Sequence, residues 1–290
     1  MNKIIKQLLR KLPYIKNLSA LPGHYYSPVI NIEEIRRREN EIWPKPPRSI
    51  EGIELREKEQ MNLLERLVPY YKEIPFSANA SAKTRYYFKN DMYPYSDGIF
   101  LYCLMRVLNP KRIIEVGSGY SSALMLDTND FCFNGQVELT FIEPFPNRLH
   151  SLLTGKDKIR LIQTAVQDVS LTVFDELGEN DILFIDSTHV SKTGSDVNFL
   201  FFQVLPRLKK GVKIHFHDIY YPFEYPKELV LGDRRSWNEA YLLRCFLTHN
   251  NKFSILSFSS FLEKFQQVWL AENMPLCLAS KGSNIWLEVC

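Results

Sequence analysis

The sequence predicts an α/β fold in which a doubly wound, mostly parallel sheet follows an N-terminal helical extension. From residue 111 onward, short apolar segments alternate with amphipathic ones, which is the pattern of a parallel sheet covered by helices. Within this region, residues 112–122 pass from an apolar strand through a Gly-x-Gly turn into a helix. A length of 290 residues, of which 45% are hydrophobic, is sufficient for one large domain with appended elements.

The N-terminal extension is predicted to be helical. Residues 1–16 carry basic but no acidic side chains, interleaved with apolar residues at near-helical spacing, which predicts a basic amphipathic helix. Such a helix docks on an anionic membrane surface, or it caps its own domain or a dimer mate, and both alternatives remain open. Residues 31–41 and 51–68 are also predicted to be helical, and the Pro-rich residues 43–47 separate them.

Seven strands and four helices are predicted in the remainder of the chain. The strand candidates are residues 111–116, 137–142, 158–163, 181–186, 211–216, 252–257 and 284–289. The helix candidates are residues 120–128, 169–177, 194–208 and 236–248. Ligands of such sheets bind beyond the carboxyl ends of the strands, near the topological switch point, so the residues that follow each strand are the candidate functional residues.

Composition excludes several classes of protein. The formal net charge of +3 is small for this length, which argues against a dedicated nucleic-acid binder. The five cysteines are an odd number without CxxC spacing, which predicts reduced thiols, a cytoplasmic location and no cysteine-based zinc site. The chain has no apolar stretch of about 18 residues and no signal-peptide core, so neither a transmembrane helix nor a secretory leader is predicted.

The turn after the first strand indicates the kind of ligand. Gly117, Ser118, Gly119 and Ser122 open a helix and allow a ligand to approach bare backbone at the helix N-terminus. Glu115 precedes this turn, where a carboxylate would repel the pyrophosphate of a dinucleotide but accept hydrogen bonds from the ammonium of an amino acid. The turn therefore favours S-adenosylmethionine over a nicotinamide dinucleotide.

Residues after the second and third strands fit the rest of such a ligand. Glu143 ends the second strand, where a carboxylate can accept both hydroxyls of a ribose. Val166 and Gln167 follow the third strand, where backbone amides and the Gln167 side chain can meet an adenine edge. The alternative for this last segment is a plain loop in which Asp168 caps the next helix.

Acidic and histidine side chains follow the fourth and fifth strands. Asp186 and His189 follow the fourth strand, while His217 and Asp218 end the fifth, so the four side chains are expected to converge at one sheet edge. In one interpretation Asp186 and Asp218 hold a divalent cation that activates a hydroxyl, and in another His189 or His217 is a general base. The structural alternative places His217 on a buried face, where it only bonds to neighbouring backbone.

Several segments together resemble the class I S-adenosylmethionine-dependent methyltransferases, and the resemblance covers the chain from about Leu21 to the C-terminus. Four ordered segments carry it: residues 115–122, 141–144, 181–186 and 215–218. More narrowly, a further set is similar to a bacterial methyltransferase subfamily: residues 186–196, 205–209, 215–226 and 237–241. The resemblance implies a seven-stranded sheet whose last strand is antiparallel, with the cofactor over its first half and the acceptor over its second.

The same resemblance implies roles for individual residues. Glu115 and the glycine turn would hold the methionine part of the cofactor, Glu143 the ribose, and Val166 with Gln167 the adenine region, and we assign Asp186 to both cofactor and acceptor. Metal-assisted O-methyltransferases usually carry an Asp or Asn beside the second acid. In this chain Ile219 follows Asp218, so a site for Mg²⁺ or Mn²⁺ lacks an assigned third ligand.

These observations predict an S-adenosylmethionine-dependent O-methyltransferase that acts on a hydroxyl of a glycan or a specialised metabolite. Residues 1–90 are predicted to form a helical extension and cap, and residues 91–290 the catalytic domain. The predicted partners are the acceptor and, through the N-terminal helix, a membrane surface or a second copy of the chain, but no nucleic acid. The alternatives are a nicotinamide-dependent oxidoreductase and a catalytically silent, cofactor-binding module of a glycan-assembly complex.

Overall fold

A computed structural model of the chain describes residues 18–290. The amphipathic helix predicted at residues 1–16 lies outside the described residues. The chain divides into two compact units. Of the described residues, 18–46 and 224–237 form the smaller unit, and 47–223 and 238–290 form the larger one.

The smaller unit contains two short helices, α1 (Ile32–Arg37) and α2 (Glu39–Ile42). The side chain of Asn31 caps α1 by accepting hydrogen bonds from the first-turn amides. One continuous helix was predicted at residues 31–41, but Arg38 leaves helical geometry with φ −108° and ψ 15°, so the segment breaks in two. Within this unit the indole N–H of Trp43 donates to the backbone oxygen of Tyr225 at 2.9 Å, which joins its two chain segments.

The larger unit is built on a seven-stranded sheet. The strands are β1 (Arg112–Val116), β2 (Glu138–Ile142), β3 (Arg160–Ile162), β4 (Ile182–Ile185), β5 (Lys213–His217), β6 (Phe253–Phe258) and β7 (Asn284–Val289). Their order in the sheet is β3-β2-β1-β4-β5-β7-β6. The pairs among β1 to β5 are parallel, whereas β7 runs antiparallel to both β5 and β6. The predicted doubly wound sheet, its seven strands and its antiparallel last strand are therefore confirmed.

Helices cover both faces of this sheet. They are α3 (Glu57–Tyr71), α4 (Tyr95–Leu108), α5 (Tyr120–Cys132), α6 (Asn147–Leu152), α7 (Asp196–Phe199, continued by helical turns to Arg207), α8 (Glu239–Leu247), α9 (Ser259–Phe265) and α10 (Gln267–Asn273). Because helices pack on both faces, the central strands are buried throughout, and β4 is a continuous apolar run. The predicted division into residues 1–90 and 91–290 stays a prediction, while in the structure α3 packs against α4 and β6.

Three helical segments differ from the prediction. The helix predicted at residues 169–177 is a 3₁₀ segment, Leu171–Glu176, because the few residues between the Ser170 cap and extended Leu177 do not suffice for a stable α-helix. The helix predicted at residues 51–68 begins only at Glu57, after a tight turn. The helix α4 was not predicted, because it is buried on nearly every side and so lacks the polar stripe that marks an amphipathic helix.

The sheet order places the topological switch point between β1 and β4. From β1 the chain moves outward to β2 and β3, and it then returns to β4 on the other side of β1. The turns after these two neighbouring strands therefore diverge and leave a crevice at their carboxyl ends. Among residues 18–290, no helix is long and apolar enough to cross a membrane.

A buried ionic cluster fastens the segment before α4 to the rest of the larger unit. Arg85 is 14% exposed and forms ion pairs with Asp127 at 2.6 Å and with Asp157, whose side chains are 2% and 4% exposed. Asp127 also accepts a hydrogen bond from the amide of Tyr86 at 2.9 Å. Removing the guanidinium would leave buried carboxylates without a cation, which is costly.

We expect Arg85→Met to lower the free energy of unfolding by about 3–5 kcal/mol, because it leaves buried charges unpaired. The measurement is chemical denaturation at neutral pH. Arg160→Met is the matched control, since Arg160 pairs with Glu176 at the surface, with side chains 50% and 44% exposed, and we expect a change within about 0.5 kcal/mol. Equal losses in the two variants would contradict the importance of the buried cluster.

Candidate functional site

The turn after β1 requires glycine at its first position. Gly117 has a φ of +91°, and a Cβ there would lie 2.4 Å from the backbone oxygen of Asp186, which directly follows β4. Gly119 is extended, and a Cβ there would meet Arg148 Cδ at 3.3 Å. The Gly-x-Gly pattern therefore has a definite cause at Gly117, where the chain leaving β4 passes against bare backbone.

Glu115 lies beneath this turn and organises it. Its side chain is fully buried, and its two carboxylate oxygens accept hydrogen bonds from Ser121 Oγ and Ser122 Oγ, each at 2.5 Å. Ser122 Oγ in turn accepts the amide hydrogen of Gly119 at 3.0 Å. Burial raises the pKa of Glu115 to about 8, although the two serine hydroxyls oppose the shift.

This arrangement gives Glu115 an immediate role that the sequence did not predict. The carboxylate holds the first turn of α5 in place through two serines, and it is not among the residues that line the crevice. The predicted contact between Glu115 and a ligand ammonium stays a prediction. Ser118 Oγ is buried at the same turn, and no hydrogen-bond partner is found for it within residues 18–290.

A crevice of about 410 Å³ opens at the carboxyl ends of β1, β2 and β4. The predicted cofactor residues that line it are Gly117, Glu143, Val166, Gln167 and Asp186. The structure therefore brings together residues that follow four different strands, β1 to β4. Their shared position at the switch point is where an α/β sheet binds its ligand.

Further lining residues were missed by the sequence analysis. Phe145 lines the crevice with a side chain that is 80% exposed, and its amide donates to Glu143 Oε1 at 2.8 Å. Lys192 and Gly194 form another wall, where the backbone oxygen of Gly194 accepts a hydrogen bond from Gln167 Nε2 at 3.2 Å. The position of Phe145, two residues beyond the strand-end glutamate, is a signal that would have identified it.

Three of the acidic and histidine side chains that follow β4 and β5 lie close together: Asp186, His189 and Asp218. His189 Nε2 lies 3.4 Å from Asp186 Oδ1 and 3.5 Å from Asp218 Oδ2. His189 and Asp218 both have left-handed backbone geometry, with φ of +61° and +54°. Such conformations are costly outside glycine, so the surrounding contacts must hold both residues in place.

The third neighbour of His189 is Glu239, which the sequence analysis did not assign. His189 Nδ1 lies 2.9 Å from Glu239 Oε2, and the Glu239 side chain is 1% exposed. Glu239 stands in the first turn of α8, within the segment 237–241 that was quoted only for its resemblance to a methyltransferase subfamily. The sequence separation of 50 residues from His189 explains why no local pattern pointed to the pair.

The contacts of His189 define its charge. Each ring nitrogen faces carboxylate oxygens, an arrangement that favours the doubly protonated imidazolium form of the ring. Burial alone would lower the pKa of His189, but Asp186 and Glu239 outweigh it and raise the pKa to about 10. Burial would likewise raise the pKa of Asp186, yet the nearby charges of His217 and His189 hold it below its ordinary value.

His217 occupies a deeper position than the other three predicted residues. Its side chain is buried on the same face of β5 as His215, with the two rings stacked at 5.9 Å, and its ring centroid lies 5.2 Å from that of Tyr93. Burial lowers the pKa of His217, but Asp218, Asp186 and other acids outweigh it, and the pKa is raised. His215 stacks on Phe184 at 3.9 Å and is a packing residue, with a pKa that burial lowers well below the ordinary value.

The predicted cation site between Asp186 and Asp218 is not matched by the donor atoms. Magnesium or manganese needs several oxygen ligands at about 2.0–2.2 Å. Here His189 Nε2 stands between the two carboxylates, about equally far from each. Within residues 18–290, no group of three or more His, Cys, Asp or Glu side chains is arranged to hold a metal ion.

Comparison with known sequences identifies the central part of the chain. Residues 114–219 match a family described as a methyltransferase domain. An uncharacterized protein of Archaeoglobus fulgidus is 35% identical over 165 residues, which span 56% of this chain and 75% of that protein.

Comparison with solved structures gives more distant similarities. The SAH-bound methyltransferase PaMTH1 of Podospora anserina has a TM-score of 0.45 at 14% identity, covering 94% of this chain and 99% of that one. The O-methyltransferase TomG of Streptomyces achromogenes, involved in tomaymycin synthesis and solved with SAM, has a TM-score of 0.42 at 13% identity, covering 82% and 91%.

The buried carboxyl of Glu115 predicts a pH dependence of stability. Because its pKa is about 8 in the folded protein and 4.5 ordinarily, the folded state binds the extra proton between these values. Its contribution is therefore fully present below pH 4.5 and is lost as the pH rises towards about 8. In Glu115→Gln this loss disappears. A shift from 4.5 to about 8, at about 1.4 kcal/mol per pKa unit, means that the fall in unfolding free energy from acid to mildly alkaline pH shrinks by roughly 5 kcal/mol.

Chemical denaturation across this pH range measures the effect. Glu272→Gln is the control, since Glu272 is exposed on α10, and it should follow the wild-type curve. An unchanged pH dependence in Glu115→Gln would show that this carboxyl is already ionised in the folded protein.

Proposed function

We propose that the chain, which belongs to the class I S-adenosylmethionine-dependent methyltransferases, transfers the methyl group to a hydroxyl of a glycan or a specialised metabolite. One observation carries this proposal. Asp186, His189, Asp218 and Glu239 form what we call the acid–histidine cluster. Asp186 also lines the crevice, so the crevice and this cluster share one residue. A methyl donor in the crevice would present its sulfonium beside groups that can activate a hydroxyl.

The crevice and the turn beside it suit the parts of S-adenosylmethionine in order, and Gly117 is the turn residue that lines the crevice. We assign the methionine end to the turn formed by Gly117, Ser118, Gly119 and Ser122, with Glu115 beneath it. We assign the ribose hydroxyls to Glu143, which lines the crevice. The adenine goes to the wall formed by Val166 and Gln167, and the exposed ring of Phe145 offers a stacking surface.

The acid–histidine cluster suits an oxygen nucleophile. The sulfonium is already a good leaving group, so the protein must align the acceptor with the methyl group and remove the hydroxyl proton as the oxygen attacks. A carboxylate of Asp186 or Asp218 is proposed to accept this proton. His217, whose raised pKa favours the charged ring, supports these carboxylates electrostatically. The imidazolium of His189 would stabilise the negative charge that develops on the oxygen.

This version of the reaction needs no divalent cation. The Mg²⁺ or Mn²⁺ interpretation would require His189 to leave its position between Asp186 and Asp218, because the donor atoms do not otherwise fit an ion. We therefore derive no step through a metal. The choice of a hydroxyl acceptor rests on the proton-accepting groups beside the crevice.

Membership of the methyltransferase family removes the nicotinamide-dependent oxidoreductase from consideration. The catalytically silent module of a glycan-assembly complex remains one outcome of the methyl-transfer test.

Four further expectations stay predictions: a cytoplasmic location, self-association, the absence of nucleic-acid binding, and membrane contact through residues 1–16.

We expect S-adenosylhomocysteine, but not NADH, to raise the melting temperature of the protein. We expect Glu143→Ala to weaken S-adenosylhomocysteine binding about 10–100-fold, because it removes a charged hydrogen-bond acceptor for the ribose. Isothermal titration calorimetry measures the affinity, and Glu272→Ala is the control at an exposed site. Unchanged affinity in Glu143→Ala would overturn the placement of the ribose.

We expect His217→Ala to keep the affinity for S-adenosylhomocysteine and to lower kcat about 100-fold or more, because it removes the charge that supports the proton-accepting carboxylates. The assay follows the labelled methyl group from S-adenosylmethionine into hydroxyl-bearing sugars, phenols and cell-extract fractions. Binding without labelled product from any acceptor would favour the silent module. Equal loss of affinity in the Glu143 and His217 variants would contradict the division of roles.

A further inference from the structure

We propose that Glu239 is a positioning residue that fixes the His189 ring between Asp186 and Asp218, where the imidazole takes the place of a divalent cation. The inference concerns the same site as the proposed function and deepens it. Its tests measure Mn²⁺ binding and the hydrogen bonding of the His189 ring, and neither needs an acceptor. Their outcome is therefore independent of the methyl-transfer assay.

The side chain of Glu239 is fully committed to the segment that carries His189. Glu239 Oε2 lies 2.9 Å from His189 Nδ1, and Glu239 Oε1 accepts a hydrogen bond from Ser187 Oγ at 2.9 Å. Ser187 Oγ itself accepts the amide hydrogen of His189 at 3.1 Å. The ring and the backbone of His189 are thus tied to one buried carboxylate, which leaves the ring little freedom to rotate.

The backbone of α8 supplies a second, independent tether. The amides of Asn238 and Glu239 both donate to the backbone oxygen of His189, at 3.0 Å and 3.2 Å. Asn238 Oδ1 also accepts the amide hydrogen of Ser191 at 2.6 Å. These bonds hold the left-handed backbone of His189, with φ of +61°, and they aim its side chain back at the sheet edge.

The carboxylates around His189 have the negative charge of a cation site, but an imidazole ring stands where the metal ion would be. Nε2 stands 3.4 Å and 3.5 Å from the two aspartates, and Nδ1 faces the third carboxylate. An imidazolium in this position supplies the positive charge that three neighbouring carboxylates require. Truncating the ring would leave Asp186 and Asp218 facing the space that Nε2 vacates, and carboxylate oxygens are donors of the kind that Mn²⁺ takes.

The alternative is that Glu239 merely caps α8 and packs in the core. In that case its replacement would change stability alone, and the ring of His189 would keep its hydrogen bonds. The two alternatives are therefore distinguished by the hydrogen bonds of the His189 ring and not by the stability of the protein.

The first experiment titrates Mn²⁺ into the full chain and follows the free ion by electron paramagnetic resonance. We expect no binding by wild type, and binding at least about tenfold tighter in His189→Ala, which is lost again when Asp218→Asn is added. His150→Ala, at an exposed histidine, is the control and should behave as wild type. Binding by wild type that His189→Ala abolishes, or no new site in His189→Ala, would overturn the proposal.

The second experiment reads the His189 ring directly by nitrogen-15 magnetic resonance of labelled histidine. The chain has six histidines, and His189→Ala identifies the signals of His189. We expect a hydrogen-bonded Nδ1 proton in wild type, its loss or large shift in Glu239→Gln, and partial restoration in Glu239→Asp. The affinity for S-adenosylhomocysteine should stay within about twofold of wild type in each variant that folds.

If Glu239→Gln fails to fold, Ser187→Ala replaces it, because that variant loosens Glu239 without creating an unpaired buried charge. A His189 signal that is unchanged in either folded variant would overturn the positioning role and leave Glu239 as a structural residue.

Discussion

The close approach of two chain segments at the switch point is the constraint on which the site depends. The amide of Asp186 donates to the backbone oxygen of Val116 at 2.9 Å, and the backbone oxygen of Asp186 leaves no room for a Cβ on Gly117. This contact joins the end of β4 to the turn after β1. It places the Asp186 side chain at the edge of the crevice and, on its other side, within reach of His189.

Around this contact, the site balances buried charge in two different ways. Glu115 is protected by neutral hydroxyl donors and keeps a high pKa, so burial favours its protonated form. The carboxylates near His189 are compensated by a cation instead, and the pKa of Asp186 is lowered. Two acidic residues at the ends of neighbouring strands are therefore in opposite electrostatic environments, one beneath the turn and the other at the crevice.

The sequence predicted the parts of the fold that follow from periodicity and left out those that depend on distant contacts. The strands were visible because parallel strands buried on both faces are short apolar runs. The strand-end residues could be placed because topology brings the carboxyl ends of these strands together, although it could not show that Glu115 turns beneath the glycine loop. Glu239 was invisible because its partner lies far away in sequence, and α4 because burial on all sides removes its polar stripe.

The uncovered ring of Phe145 has a thermodynamic consequence. With 80% of its side chain in water at the rim of the crevice, this aromatic surface is dehydrated only when a flat apolar group lies on it. Association with such a ligand must therefore carry a negative heat-capacity change, and its enthalpy will grow more favourable on warming. The temperature dependence of binding heat thus reports whether an aromatic ligand face occupies this rim.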